Sequence, residues 1–193
     1  MREINNDYYI RHMESFIEDT MNVDMSKQYA FFEKYIKNNG IVLDIGFGSG
    51  RDSLYFQKKG YTVYAIDPTK EFCIRGKELG IQHVECMYVE DMNYEDLFDG
   101  IWACASLLHV ESKNLISVFK KCAMALKENG IMYVSFKYGE YEGERNGRYF
   151  CDQTLETIQP IIEKAGMHIV ESSQSEDVRV DRSEAWLNII IAK

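Results

Sequence analysis

The chain has 193 residues, 46% of them hydrophobic, 27% charged and 13% aromatic, a length and composition suited to one domain that buries most of its apolar surface. Two prolines and 13 glycines exclude a collagenous or Pro-rich disordered chain. The 22 Lys+Arg against 31 Asp+Glu leave a formal net charge of −9. No global positive field can then collect a phosphate backbone, which disfavours duplex nucleic acid as a partner.

The five cysteines, Cys73, Cys86, Cys104, Cys122 and Cys151, are widely spread, without the two- to four-residue spacing of a zinc knuckle or redox pair. The first ten residues carry Arg2, Glu3 and Asp7 and no apolar signal region, and the longest apolar uncharged stretch, Gly100 to Val110, falls far short of the ~20 residues that span a bilayer. A soluble cytoplasmic protein with reduced thiols and no membrane partner is expected.

In chain order, residues 1–38 are expected as an N-terminal helical extension of the same domain. Tyr9, Met13, Phe16, Ile17 and Met21 recur at helical spacing, and Phe32, Tyr35 and Ile36 do so after Ser26, an N-cap candidate. Residues 39–193 then alternate short apolar runs with amphipathic segments. Strands are expected near Ile41–Ile45, Thr62–Ile66, His83–Met87, Ile101–Ala105, Ile131–Lys137, His168–Glu171 and Trp186–Ala192. Helices are expected near Arg51–Lys59, Lys70–Leu79, Lys113–Lys127 and Thr154–Ala165, with Gly60, Gly80, Gly130 and Gly166 at the junctions. Such a pattern predicts an α/β, Rossmann-like, doubly wound sheet of seven strands, its last two forming an antiparallel pair because no helix separates them.

The run Ile41-Val-Leu-Asp44-Ile-Gly46-Phe-Gly48-Ser-Gly50 takes a buried strand through three alternating glycines into a helix. Glycine there permits a tight turn and lets backbone N–H groups approach a ligand. A dinucleotide site needs a small residue at the third fingerprint position, where Arg51 stands, so nicotinamide chemistry is disfavoured. Asp67 closes the second strand, where a carboxylate can accept both ribose hydroxyls; Asp67-Pro68-Thr69 would also open a helix well, and that alternative stands beside it.

Asp-x-Gly-x-Gly-x-Gly at a strand end resembles motif I of the class I S-adenosylmethionine-dependent methyltransferases, and the resemblance runs from about residue 39 to the end of the chain. It implies S-adenosylmethionine as cofactor and S-adenosylhomocysteine as product. It also implies donor contacts at Asp44, Gly46, Phe47, Gly48, Ser49 and Gly50, with Phe47 departing from the small residue common there. Asp67 and Pro68 would face the ribose, Asp91 and Met92 the adenine, and Ser106 the donor side of the fourth strand's end. The Leu107-Leu108-His109 stretch resembles small stand-alone members of the tellurite-resistance and small-molecule type.

His109 is the candidate general base, with helix capping or donor packing as alternatives. Tyr138 to Phe150 carries three glycines and four aromatics and is expected as a flexible acceptor lid, with Lys137, Arg148 and Tyr149 on substrate and Arg182 added from the 172–184 loop. Tyr8, Tyr9 and His12 are candidates to close over the donor. The rim bases alternate with Glu140, Glu142, Glu144, Asp177 and Asp181, which suits a small-molecule or short-peptide acceptor better than a phosphate track. Metal-independent methyl transfer is therefore expected; the alternatives are a non-catalytic donor-binding module and an RNA methyltransferase.

Overall fold

A computed structural model describes residues 2–179 and 183–193. Three helices precede the sheet where spacing predicts two: α1 (Arg2–Arg11), α2 (Met13–Met21) and α3 (Ser26–Glu33). The first expected helix breaks at His12 (φ −116°, ψ 20°). There the imidazole folds back on the Tyr8 carbonyl at 2.8 Å and stacks on the Tyr8 ring, a local pairing that a hydrophobic period does not encode. Ser26 is not the cap either; Asp24 Oδ1 accepts the Ser26 N–H at 2.9 Å, and Ser26 lies inside the first turn.

Strands β1 (Ile41–Ile45), β2 (Thr62–Asp67), β3 (His83–Cys86), β4 (Phe98–Ala103) and β5 (Leu126–Lys137) run parallel. They are connected through α4 (Arg51–Lys58), α5 (Lys70–Glu78) and α6 (Ser112–Ala125). The fourth strand starts three residues earlier than its apolar run, because Phe98 pairs with Leu126 before a bulge resets the register. Near the start of β5 the left-handed residue is Asn129 (φ 64°) rather than Gly130.

The expected lid is not a loop. It is a hairpin of β6 (Glu142–Arg145) and β7 (Arg148–Cys151). Asn146 (φ 52°) and Gly147 (φ 74°) make the two-residue turn, the conformation that Asn-Gly favours between strands.

After α7 (Leu155–Lys164), capped by Thr154, come β8 (His168–Glu176) and β9 (Ala185–Ala192). The sheet order is β3-β2-β1-β4-β5-β9-β8, with β9 antiparallel to both neighbours. Alternate residues feed two cores. Leu43, Ile101, Met132 and Val134 pack with α6 and α7, whereas Val42, Trp102 and Tyr133 pack with Phe32, Phe56 and Phe72 from α3, α4 and α5. Both faces are covered, as a parallel sheet requires. The carboxyl ends of β1, β2, β4 and β5 meet at one rim, where the order reverses between β1 and β4. No helix among the described residues is long and apolar enough to cross a membrane.

Candidate active site

The rim opens into a cavity of about 250 Å³ roofed by α1 and α2. Its floor is the glycine loop. Gly46, Gly48 and Gly50 adopt φ values of 70°, 49° and 88°, a region L-residues rarely enter. A Cβ on Gly46 would lie 2.6 Å from Ser106 Cβ, and one on Gly48 would lie 3.0 Å from the Phe16 ring. The loop is anchored by the Gly46 N–H donating to the Ile66 carbonyl at 2.7 Å.

Asp67 sits beneath it, 5% exposed, accepting the Gly48 N–H at 3.1 Å and the Thr69 N–H at 2.8 Å. Burial pushes its carboxyl up to about 6, against the opposing pull of those two N–H groups. Asp67 therefore both opens the following helix and faces the cavity. The two readings of its sequence position are compatible.

Asp44 does not line the cavity. It is 2% exposed and accepts the Ser53 hydroxyl at 2.6 Å, with its carboxyl held well above the usual range by burial and then by Asp52. Its side chain ties the strand to the first turn of α4. Asp52 takes a larger part in the wall than sequence suggests. It is bound by Arg51, by the Tyr29 hydroxyl at 2.5 Å and by Trp102 Nε1 at 2.9 Å, which fixes the start of α4 and the edge of the cavity together.

At the end of β3 the cavity wall is Tyr88, Val89 and Glu90. Asp91 is exposed and Met92 is buried in the sheet core, so neither expected adenine contact lines the space. The short turn over Val89–Asp91 brings Glu90 inward, and adjacent acids give no sequence signal for which of them turns in. Gly50 likewise stays outside the lining, whereas Gly46, Phe47, Gly48, Ser49, Asp67, Pro68 and Ser106 contribute to it.

His109 lines the cavity with both ring nitrogens occupied. Nδ1 lies 2.7 Å from the Tyr149 carbonyl and Nε2 lies 2.8 Å from the Tyr9 hydroxyl. A carbonyl only accepts, so Nδ1 carries the hydrogen and Nε2 accepts from Tyr9. Burial is the main cause that lowers the imidazole to about 4, so the ring is neutral. Tyr9 in turn lies 3.4 Å from Arg148 Nη1 and packs on Phe16.

Arg148 and Lys137 line the cavity, and Lys137 is paired with Glu184. Tyr149 does not. It is 2% exposed, its hydroxyl donates to Glu142, and its backbone N–H donates to Asn5 Oδ1 at 2.7 Å. Strand alternation explains the difference, since β7 turns successive side chains to opposite faces. Arg182 lies outside the described residues. His12 is exposed, away from the donor-side wall.

Residues 43–134 match the family described as "Methyltransferase domain". That match covers 92 of the 193 residues, and over this stretch the chain is similar to the methyltransferase-domain family. The structure of a Burkholderia thailandensis 1,6-didemethyltoxoflavin-N1-methyltransferase superposes with a TM-score of 0.82 at 18% identity, covering 100% of this chain and 88% of that one. In sequence, the chain is 34% identical over 101 residues to a ubiquinone biosynthesis O-methyltransferase of Bradyrhizobium diazoefficiens, covering 49% of this chain and 38% of that protein. It is 22% identical over 173 residues to an N-terminal Xaa-Pro-Lys N-methyltransferase of Xenopus laevis, covering 81% and 77% respectively. The first two curated relatives are each spanned over half their length or less.

Within this methyltransferase fold, the residues that sequence reasoning missed are Arg51, Asp52, Glu90 and Gln28, all on the cavity wall. Only the Asn146-Gly147 pair carried a local signal, for the hairpin that delivers Arg148.

Proposed function

We propose that the chain transfers a methyl group from S-adenosylmethionine to a small-molecule or short-peptide acceptor without a metal. The observation that carries this reading is the floor: two left-handed glycines, Gly46 and Gly48, after the end of β1, and a buried Asp67 at the end of β2, facing one cavity. The fit to the donor rests on two features. Gly46 and Gly48 pack so closely on Ser106 and Phe16 that a Cβ would collide, which leaves backbone alone to face the cavity there. Ser106 Oγ and Gln28 Oε1, on residues that line the cavity, are buried without a hydrogen-bond partner. Unmet polar groups of that kind call for a polar ligand.

In this reading Gly46, Gly48 and Ser49 hold the donor through backbone, Asp67 accepts its ribose hydroxyls, and Pro68 packs beside them. Glu90 takes the place expected of Asp91. Once bound, the donor supplies an electrophilic methyl on a sulfonium. The chain's own work is to align the acceptor in line with it and to exclude water. Tyr9, Phe16 and the β6–β7 hairpin form the roof that does the second. His109 acts as the fixed acceptor for the Tyr9 hydroxyl; its lowered basicity suits a positioning residue, and a thiol or other acidic acceptor needs no strong base. Lys137 and Arg148 stand on the acceptor side.

Calorimetry with S-adenosylmethionine, S-adenosylhomocysteine and NAD tests the reading. Both sulfur compounds are expected to bind and NAD not to; NAD binding alone would overturn it. A second reading, a donor-binding module without turnover, is favoured by one observation, the engagement of both His109 nitrogens. Formation of S-adenosylhomocysteine in the presence of a metabolite or peptide extract decides between them.

A further inference from the structure

Among the described residues, four cationic side chains line the cavity: Arg51, Lys137, Arg148 and Arg179. Three are neutralised within the chain, Arg51 by Asp52 at 2.6 Å, Lys137 by Glu184, and Arg179 by Asp177 at 2.7 Å. Arg148 has no carboxylate partner among the described residues. Its guanidinium is instead clamped between rings, 4.6 Å from the Tyr8 centroid and 5.0 Å from that of Phe150. Its Nε is buried with no hydrogen-bond partner, and one long contact at 3.4 Å reaches the Tyr9 hydroxyl oxygen.

A buried guanidinium nitrogen left unpaired is costly. The aromatic clamp removes the side chain's freedom and leaves the fork of donors aimed, which is the geometry that matches two oxygens of one anionic group. The neighbouring imidazole does not compete, because its hydrogen is committed to the Tyr149 carbonyl.

Position separates this cation from the donor floor. The Gly48 position abuts the Phe16 ring, Phe16 packs on Tyr9 at 5.1 Å, and Arg148 meets Tyr9 through its hydroxyl. Two aromatic rings thus stand between the loop and the guanidinium. We propose that the methyl acceptor carries an oxyanion, a carboxylate or phosphate group, which Arg148 binds on the side of Tyr9 away from the glycine loop. This names the acceptor class for the methyl transfer proposed above and rests on it. The anionic group is an anchor, and the nucleophilic atom is a different part of the same molecule.

Fluorine NMR on protein saturated with S-adenosylhomocysteine tests this with three probes: 4-(trifluoromethyl)benzoate, 4-(trifluoromethyl)phenylphosphonate and the neutral 4-(trifluoromethyl)benzamide. At least one anion is expected to bind about fivefold or more tighter than the amide, and the tighter of the two names the group. Arg148→Gln should erase that preference while S-adenosylhomocysteine affinity stays within about twofold. Arg148→Lys, which keeps the charge and loses the fork, should retain a weaker preference and serves as the second variant if the first does not fold. Equal binding of amide and anions, or a preference that survives Arg148→Gln, overturns the inference while leaving donor binding intact. A loss of S-adenosylhomocysteine affinity in folded Arg148→Gln also overturns it, because the guanidinium would then serve the donor's own carboxylate. Failure of the native protein to bind S-adenosylhomocysteine instead overturns the proposed function itself.

Discussion

The floor and the roof of the cavity are built by different means. Every element of the floor from Gly46 to Asp67 lies within one β–α–β unit, and its shape is a matter of backbone conformation: three positive φ values and two N–H groups on one carboxylate. The roof is assembled from residues far apart in the chain. Asn5 binds Tyr149, Tyr9 binds His109, and Arg148 rests on Tyr8. Local backbone chemistry leaves a pattern in sequence, whereas contacts between distant side chains do not. If the two regions also work separately, damage to one should spare the other.

The largest effect is expected at the floor. Gly46→Ala places a methyl 2.6 Å from Ser106 Cβ at a φ of 70°, combining left-handed strain with overpacking at a cost of about 2–5 kcal/mol. The loop must shift, and donor affinity measured by calorimetry should fall beyond about a hundredfold, with a lowered melting temperature. Binding that survives unchanged would mean the loop is not the donor cradle.

At the roof the matching test is pH. His109 in the folded protein sits at about 4 because it is buried, below the roughly 6.5 of an exposed histidine. Between those values the unfolded chain takes up a proton that the folded one refuses, so stability is lost as pH falls from about 6.5 toward 4. By pH 4.5 the loss amounts to about 2–3 kcal/mol. Urea unfolding of native protein and His109→Gln at pH 7 and 4.5 should show a smaller pH difference in the variant. Asp67, raised to about 6, titrates with the opposite sign, and is common to both proteins, so the comparison isolates the histidine. An identical pH difference in both would show His109 to be free to protonate.

Asp67 gives the next effect. On the proposed reading, in which Asp67 accepts the donor's ribose hydroxyls, the amide of Asp67→Asn should cost about 1–3 kcal/mol of donor affinity. Native affinity for S-adenosylhomocysteine should also weaken below about pH 6, where the carboxyl protonates, and the variant should lack that dependence. Calorimetry across pH 5–8 reads both, and a variant that keeps native affinity would reduce Asp67 to an anchor for the Gly48 and Thr69 N–H groups.

These differences follow what the sequence could and could not express. The seven-stranded, doubly wound sheet and its antiparallel last strand were legible from the alternation of apolar runs with amphipathic segments, and the glycine turn after Ile45 from its run of glycines at a strand end. Asp44 was legible as a motif position but not as an anchor for Ser53, since facing the cavity or the helix is decided by the loop's own contour. Asp91 and Glu90 are adjacent acids on one short turn, and only its pitch selects between them. Tyr149 faces away from the cavity because β7 alternates its side chains, and a segment read as a loop carries no such alternation. Recognising Asn146-Gly147 as a hairpin turn would have placed Arg148 inward and Tyr149 outward together.

That turn also supplies the mildest test of separation. Gly147 has a φ of 74°, and a Cβ there would lie 3.3 Å from the Tyr8 ring. Gly147→Ala therefore asks the hairpin to accept left-handed strain of about 1–2 kcal/mol and a slight displacement of the ring that supports Arg148. The melting temperature should drop by about 2–8 °C. Acceptor turnover, or anion binding by the fluorine probes, should weaken by a few-fold, because the aromatic clamp loosens while every charge remains. S-adenosylhomocysteine affinity should stay within about twofold, since no residue of β6 or β7 belongs to the glycine loop or to the ends of β1 and β2. Should donor affinity fall in step with acceptor binding, the Tyr8–Tyr9–Phe16 aromatic chain must couple the roof to Gly48 rigidly, and the two regions would be one mechanical unit rather than two.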